Sequence, residues 1–236
     1  GLFMAQTAEK LAVQYEISRE EQDEFAIVSI QRAMAAQENG LFADEMFPVE
    51  VKRRKDSIQV DTDDHIKPGT THEKLARLRP AFGKDGTVTA GNASGIVDGA
   101  AALAAEGASA AAGRSVLGTV KGWHTVGVDP SVMGIGPAPA INGLLKAQGL
   151  SIADVALFEI NEAFAAQYIA VEKELGLDRD KVNVNGGAIA LGHPLAMTGT
   201  RLILTICHEL RRRGGGLGVA SACIGGGQGI AVLIEV

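Results

Sequence analysis

The chain has 236 residues, of which 46% are hydrophobic and 21% are charged, and its formal net charge is −6. This length and composition can bury a substantial core, which excludes a disordered chain. The acidic balance argues against a nucleic-acid or anionic-membrane partner, because such partners usually require a basic surface. A small-molecule substrate is therefore expected.

Cysteine content and the N-terminus bear on the compartment. Cys207 and Cys223 are the two cysteines, so we expect no disulfide framework and a reducing compartment. This predicts the cytoplasm, or a mitochondrial or peroxisomal matrix in a eukaryote. No export signal is visible, and no apolar run reaches the roughly 18 residues that a membrane helix needs. Because the chain opens at Gly1, close to a helix, we expect upstream sequence to be missing or cleaved.

The first third of the chain is predicted to be helical and then irregular. Two helices are expected across residues 7–39, joined near Ser18, where a serine followed by acidic residues is typical of a helix N-terminus. Residues 42–71 predict short exposed strands and loops. Their basic run, residues 52–55, is interpreted as a solvated loop, with a phosphate contact as the alternative.

Strands and helices alternate in the rest of the chain. After a short strand, a glycine-rich turn and an alanine-rich segment across residues 87–113, the pattern predicts strands at 116–123, 155–160, 219–222 and 230–235. Helices are predicted at 139–149, at 161–175 and within 189–213. Apolar strands alternating with helices predict an α/β fold, with a sheet covered by helices on both faces.

His193 lies in a glycine-rich segment, residues 185–194, just before a helix that is expected to begin near Leu195. Glycines let the backbone approach a ligand closely. A histidine near a helix start feels the positive end of the helix dipole, which favours the neutral imidazole that a general base needs. A purely structural histidine is the alternative.

Cys223 is predicted at the end of an apolar strand, before the glycine turn at residues 225–227. Amides of such a turn can point at an anion and form an oxyanion hole. The alternative is a buried cysteine that precedes a tight hairpin, since free cysteine often packs as a small hydrophobe.

Two further segments suggest a ligand site. Residues 159–165 pass from a buried strand into a helix and place polar side chains at the carboxyl edge of the sheet, where ligands of α/β proteins bind. Asn161 in this segment could equally be a helix N-cap. Residues 87–95 form a small-residue loop that would let a ligand pass close to the backbone, or a plain turn.

These segments, in this order, resemble four sequence boxes of the thiolase family. The boxes are GNASG at 91–95, NEAF at 161–164, GHP at 192–194 and CIGGG at 223–227. The resemblance covers essentially the whole chain, and its nearest types are the degradative 3-ketoacyl-CoA thiolases and the acetyl-CoA acetyltransferases. It implies an acyltransferase of fatty acid metabolism and β-oxidation that uses coenzyme A as co-substrate, with no metal and no other cofactor.

The resemblance also implies roles for the catalytic residues. His193 would activate a nucleophilic cysteine, and Cys223 would be the second acid/base. Asn161 would hold a water that joins His193 in one oxyanion hole, and the Gly225 amide would contribute to the other.

A second set of residues is expected to bind coenzyme A. Ser94 and Ala90 would line the path of the pantetheine chain, Phe82 and Met133 would be apolar walls, and Lys67 would lie near the phosphates.

The covalent nucleophile of the family is expected upstream of the helices that open this chain, in a segment with no match here. Cys207, in an apolar helical run, is assigned to packing. Ala196 stands where relatives usually have glycine. The nucleophile is therefore expected from an upstream segment or a separate chain.

The same resemblance implies the domain organisation and the partners. Residues 1–95 are expected to be part of the thiolase loop domain, 96–115 the last elements of the N-terminal half, and 116–236 the C-terminal domain. One half of a two-half fold would expose apolar surface. We therefore expect the missing N-terminal half or a complementing chain as partner, a homodimer or tetramer, and acyl-CoA and coenzyme A as ligands.

Two other functions are open. A non-catalytic acyl-CoA-binding or interaction module could keep the fold and pocket without turnover. Decarboxylative condensation on a carrier protein, as in related ketosynthases, is disfavoured because those enzymes typically have a second histidine where this chain has Asn161.

Overall fold

The computed structural model describes all 236 residues and contains two sheets. The α-helices are α1 (Met4–Gln14), α2 (Arg19–Glu38), α3 (His72–Ala76), α4 (Ala108–Ala111), α5 (Pro137–Gln148), α6 (Ala165–Leu175), α7 (Ala188–Leu191) and α8 (Thr198–Arg212). The strands are β1 (Val49–Lys52), β2 (Ser57–Val60), β3 (Thr119–Gly127), β4 (Leu157–Ile160), β5 (Leu217–Ile224) and β6 (Gln228–Glu235). None of the helices combines the length and the apolar character needed to span a bilayer.

The two predicted N-terminal helices are confirmed as α1 and α2. Ser18 is the N-cap of α2: its Oγ accepts a hydrogen bond from the Glu21 amide at 3.1 Å. The Glu21 carboxylate in turn accepts from the Ser18 amide at 2.8 Å. This reciprocal capping box satisfies two amides that the helix itself leaves unpaired, which explains why α2 begins there.

Strands β1 and β2 form an isolated antiparallel hairpin that is exposed to solvent. The basic run at 52–55 occupies its turn and is exposed. This agrees with the expected short exposed strands, and the phosphate contact stays a prediction.

The main sheet has the strand order β3-β6-β5-β4. Strand β4 runs parallel to β5, and the other pairs are antiparallel. Consecutive strand residues point to opposite faces. In β4, Phe158 belongs to the core that includes the α5 residues Ile141 and Leu144, whereas Leu157 packs with Ile206 of α8. Helices therefore cover both faces of the sheet, and the predicted α/β architecture is confirmed.

The predicted start of helix α6 at Asn161 is wrong. The helix begins at Ala165, and Phe164 occupies the N-cap position. The Asn161 amide instead donates to the Ser221 carbonyl at 2.9 Å. Ala93 forms a single antiparallel bridge with Phe164. Tertiary backbone pairing thus keeps residues 161–164 extended, against the local helical pattern.

Two other local predictions differ from the structure. The strand expected after Thr87 does not form beyond the bridge at Ala93. The alanine-rich segment has no regular structure from 96 to 107, and the short helix α4 that follows it is exposed. Small side chains there offer little apolar surface to bury, and the Ile96 side chain is fully exposed.

Replacing Ser18 by alanine should destabilise the chain. The side-chain acceptor for the Glu21 amide would be lost, and loss of an N-cap costs about 1 kcal/mol. Urea unfolding followed by circular dichroism would measure this. Ser57→Ala in the exposed hairpin is the control and should leave the free energy of unfolding unchanged; equal effects of the two variants would contradict the capping role.

Candidate active site

Parallel strands β4 and β5 place two of the predicted site residues at one edge of the main sheet. Ile160 pairs with Ser221 in the parallel register, so Asn161 is the first residue beyond β4. Cys223 lies two residues after Ser221 and points to the same face of β5, because side chains alternate along a strand. The carboxyl edge of the parallel pair therefore carries both side chains.

Backbone hydrogen bonds bring the other two predicted segments to this edge. The Ser94 amide and hydroxyl both donate to the Ala163 carbonyl at 3.0 Å. The His193 amide donates to the Gly95 carbonyl, also at 3.0 Å. The loop around Ser94 thus lies between the segment after β4 and the loop of His193, and three of the four sequence boxes are in direct contact.

The His193 ring is held from both nitrogens. Its Nδ1 lies 2.7 Å from Thr198 Oγ1, and the Thr198 hydroxyl donates to the Pro194 carbonyl at 3.0 Å. With that hydroxyl proton directed to Pro194, Nδ1 is assigned the ring proton and donates to Thr198. Nε2 is then the acceptor, and it lies 3.2 Å from Asn161 Nδ2. The neutral ring therefore presents an unprotonated Nε2 at the carboxyl edge, as a general base requires.

The pKa of His193 is lowered, as the sequence predicts, but the cause differs. Burial of the ring is the first cause, and the positive charge of Arg201 is the second. Helix α8 begins at Thr198 and not near Leu195; residues 195–197 form a turn closed by the bond from the Met197 amide to the Pro194 carbonyl. Desolvation disfavours the charged imidazolium, so the ring stays neutral near pH 7.

The loop before His193 is anchored by the buried carboxylate of Glu162. This carboxylate accepts hydrogen bonds from Ser29 Oγ at 2.7 Å, Asn183 Nδ2 at 2.8 Å and the Ile189 amide at 3.2 Å. A Cβ at Gly187 would collide with the same carboxylate. Glycine is required there because the loop passes directly against Glu162.

The environment of Cys223 acts on the pKa of its thiol in the opposite direction to that of a reactive cysteine, whose pKa is usually lowered. The side chain keeps a partly exposed surface, yet desolvation by the surrounding protein raises its pKa to about 11. The thiol is therefore protonated at neutral pH and can serve as a proton donor. The Ser221 hydroxyl, on the same face of β5, donates to the Ile230 carbonyl at 2.7 Å and is not free to pair with the sulfur.

The glycine turn joins β5 to β6 next to Cys223. Gly225 is exposed in this turn. Gly227 has a φ of 92°, and its carbonyl accepts from the Val128 amide at 2.8 Å. A Cβ at Gly227 would meet the Val128 carbonyl oxygen, so only glycine allows the turn to pack against the end of β3.

A cavity of about 250 Å³ lies beside the His193 loop. It contains two of the residues expected to bind coenzyme A, Lys67 and Ala90, while Ser94, Phe82 and Met133 do not line it. Phe82 is exposed and Met133 is buried. The residues that line the cavity are Ile30, His65, Lys67, Thr70, Lys74, Leu75, Leu78, Ala90, Gly91, Ile189 and Ala190.

Several site residues were missed by the sequence analysis. Thr198 fixes the His193 tautomer, and its only signal is a hydroxyl five residues after the histidine. His65 and Lys74 add polar groups to the cavity, and His65 Nδ1 lies 2.9 Å from the Ala190 carbonyl. Cys207 lies on α8 and is buried in the core, as expected for a packing role.

The α/β fold, with a histidine, a thiol and a side-chain amide at one sheet edge, fits the thiolase resemblance of the sequence boxes. Family models agree: the model described as thiolase, C-terminal domain, matches residues 114–236, and the model described as thiolase, N-terminal domain, matches residues 1–105. The chain therefore belongs to the thiolase family. The finer division at residues 95 and 115 stays a prediction.

Relatives and solved structures agree with this assignment. The chain is 57% identical to human mitochondrial 3-ketoacyl-CoA thiolase over 234 residues, covering 98% of the chain and 59% of that relative. It is 53% identical to an acetyl-CoA acetyltransferase of Shinella zoogloeoides, covering 100% of the chain and 60% of the relative. The chain thus spans about 60% of the length of these relatives.

Two solved structures have the same fold. The acetyl-CoA acetyltransferase of Bacillus anthracis superposes with a TM-score of 0.97 at 52% identity, covering 99% of the chain and 60% of that structure. Human mitochondrial 3-ketoacyl-CoA thiolase in complex with CoA superposes with a TM-score of 0.91 at 55% identity, covering 99% of the chain and 59% of that structure.

Cys223 should react slowly with alkylating reagents near neutral pH. Because its pKa is raised to about 11, only a small fraction is thiolate, the reactive form. In the Cys207→Ala variant, the rate of iodoacetamide labelling, followed by mass spectrometry, should still rise about tenfold per pH unit at pH ~9.5. A plateau near pH ~8.5, the pKa of an ordinary cysteine, would contradict the desolvated thiol.

Proposed function

We propose that this chain is the base-and-acid part of a thiolase that cleaves 3-ketoacyl-CoA by thiolysis or condenses two acetyl-CoA molecules. The observation that carries the proposal is the position of His193, whose Nε2 lies against Asn161 at the sheet edge that also carries Cys223. The names of the relatives, 3-ketoacyl-CoA thiolase and acetyl-CoA acetyltransferase, support the same reaction class.

The first chemical step needs a base. A cysteine outside these 236 residues would give its proton to His193 Nε2 and attack the 3-keto carbon of the substrate. The bond between C2 and C3 then breaks, and its electron pair remains on C2 as the enolate of acetyl-CoA. The imidazole is available to accept the proton because burial and the charge of Arg201 lower its pKa and keep the ring neutral.

The second step needs an acid, and Cys223 fits it. The protonated thiol gives its proton to C2 and releases acetyl-CoA. The resulting thiolate is strongly basic because the pKa of the thiol is about 11, so it takes the proton of the incoming coenzyme A thiol. That thiol then attacks the acyl-enzyme, and the nucleophilic cysteine leaves as thiolate to recover its proton from His193.

Negative charge on two oxygens must be stabilised during these steps. Asn161 Nδ2 and His193 Nε2 are in direct contact at 3.2 Å, so a water or thioester oxygen beside the pair would receive hydrogen bonds from both once Nε2 has taken up the proton. The Asn161 Oδ1 atom is buried without a partner in the chain, which would suit such a water. The amide of Gly225 is the donor proposed for the second oxygen.

The cavity beside the His193 loop is the proposed coenzyme A site. Lys67 and Lys74 supply positive charge for the phosphates, and Ala90 and Gly91 let the pantetheine chain pass close to the backbone. Ser94 would contact the inner end of that chain because its loop touches the loop of His193. Phe82 and Met133 would form apolar walls of the coenzyme A site, which another part of the whole protein would complete.

The remaining parts of the proposal concern the whole protein. The N-terminal half or a complementing chain would supply the nucleophile, and a homodimer or tetramer would cover the exposed apolar surface. Leu195, next to the His193 loop, is 84% exposed, which suits a surface that such a partner covers. The proposed compartment is the cytoplasm, or an organelle matrix in a eukaryote.

Activity can be tested in a chimaera that joins this chain to the part of the Bacillus anthracis relative outside the match. We expect thiolysis of acetoacetyl-CoA, and we expect His193→Ala and Cys223→Ala each to lower kcat by about 100-fold to 10,000-fold, the range for loss of an acid/base group. The measurement is loss of the acetoacetyl-CoA absorbance.

Cys207→Ala is the matched control because that thiol lies in the core; it should leave kcat unchanged. Undiminished thiolysis in both site variants would contradict the roles given to His193 and Cys223. Coenzyme A binding without any turnover would favour the non-catalytic acyl-CoA-binding module.

Coenzyme A binding can be tested in the 236-residue chain itself. Lys67→Ala and Lys74→Ala should each weaken binding roughly fivefold to fiftyfold, since a charged hydrogen bond to a phosphate contributes about 1.5 to 3 kcal/mol less its cost of desolvation. Isothermal titration calorimetry would measure this. Lys121→Ala, on strand β3 away from the cavity, should bind like the unmodified chain; equal losses in all three variants would contradict the site.

A further inference from the structure

Arg201 and Glu159 form a buried ion pair behind the candidate site. Arg201 Nη1 donates to Glu159 Oε2 at 2.7 Å. The Glu159 side chain is fully buried, and 15% of the Arg201 side chain is exposed. Neither residue belongs to the sequence boxes that point to a thiolase, and the proposed reaction uses only the effect of the Arg201 charge on the pKa of His193.

The pair connects the two elements that hold His193. Glu159 lies in β4, two residues before Asn161, whose amide faces Nε2 of the histidine. Arg201 lies in the first turn of α8, three residues after Thr198, which receives the proton of Nδ1. The ion pair therefore joins the strand and the helix next to which Asn161 and Thr198 contact the His193 ring.

The ion pair is an expensive way to hold a strand and a helix together. Burial raises the pKa of Glu159, the charge of Arg201 opposes that rise, and the Glu159 Oε1 atom is buried without a partner. Well-packed apolar side chains of similar volume often stabilise a protein as much or more than a buried ion pair. Stability alone therefore does not account for a charged pair here, whereas directional geometry does.

The surroundings of Arg201 contain further acids. Burial raises the pKa of three carboxyl groups from neighbouring segments, and the charge of Arg201 opposes that rise in each: Glu45 after α2, Asp63 after β2 and Glu162 after β4. The Glu45 carboxylate is held by Thr205 Oγ1 at 2.7 Å. Of the groups around His193, Arg201 is the charged one that acts on it, since Asn161 and Thr198 are neutral.

We propose that Glu159 and Arg201 are positioning residues that fix Asn161 and Thr198 around His193 and so select its catalytic tautomer. The inference builds on the proposed function, because the tautomer matters for a base. The tautomer itself is a property of the ring and can be measured without turnover, so the two proposals can fail separately.

The test is the tautomer of His193 in the double variant Glu159→Leu/Arg201→Met, read from its imidazole ¹⁵N chemical shifts in the 236-residue chain. Replacing both residues removes the directional pair without leaving an unpaired buried charge. We expect a chain of nearly unchanged thermal stability, in which the equilibrium shifts about tenfold towards the form protonated on Nε2, as expected for loss of one hydrogen bond. His193→Gln assigns the signal.

A second Arg–Glu pair provides the control. Arg179 and Glu172 are joined at 2.5 Å near the end of α6, and Glu172→Leu/Arg179→Met should leave the His193 tautomer unchanged. If the site variant keeps the original tautomer, or if the control shifts it equally, the pair is merely structural and the inference is wrong.

If the double variant does not fold, the Arg201→Lys variant tests the same inference. It keeps the charge but loses the planar guanidinium that aims at Glu159. A shift towards the Nε2-protonated form supports positioning, and an unchanged tautomer overturns it. The pKa of His193 is a useful second readout, because it should rise in the double variant, where the charge of Arg201 is gone, and not in Arg201→Lys.

Discussion

The arrangement of the site depends on one buried carboxylate, that of Glu162. It accepts hydrogen bonds from Ser29 in α2, from Asn183, and from the Ile189 amide in the loop before His193. Ser29 Oγ in turn accepts from the Gly187 amide at 3.1 Å. A single residue after β4 thus ties the N-terminal helices to the histidine loop. Because each donor is buried, removing the carboxylate would leave several of them unsatisfied, which is far more costly than losing an exposed bond.

The sheet topology explains why the boxes meet although they are far apart in sequence. Parallel pairing of β4 with β5 ends both strands at the same edge, and this edge receives Asn161 and Cys223. The loop around Ser94 reaches it through an antiparallel bridge to the segment after β4. It is held from its other side by Asp23 of α2, which accepts from Asn92 Nδ2 at 2.9 Å. The helices that precede the sheet therefore act as a scaffold for the site.

The proposed chemistry depends on burial, which shifts the pKa values of two residues in opposite directions. Desolvation disfavours the charged form of either group, so the pKa of His193 falls and the pKa of Cys223 rises. The histidine becomes a neutral base and the cysteine a protonated acid at the same pH. Pairs of groups whose environments separate their pKa values in this way are typical of acid/base catalysis.

The sequence alone determined the α/β class and the helices α1 and α2, and it supplied the candidate site residues, because hydrophobic periodicity, the capping box at Ser18 and the glycine-rich boxes are local signals. Tertiary structure alone decided what surrounds those residues. Asn161 looked like a helix N-cap, yet its amide pairs with Ser221 on a strand that is distant in sequence. The contact of Thr198 with His193 and the pairing of Glu159 with Arg201 depend on how β4 and α8 pack. Packing against distant elements can override or complete the structure that a local sequence pattern encodes.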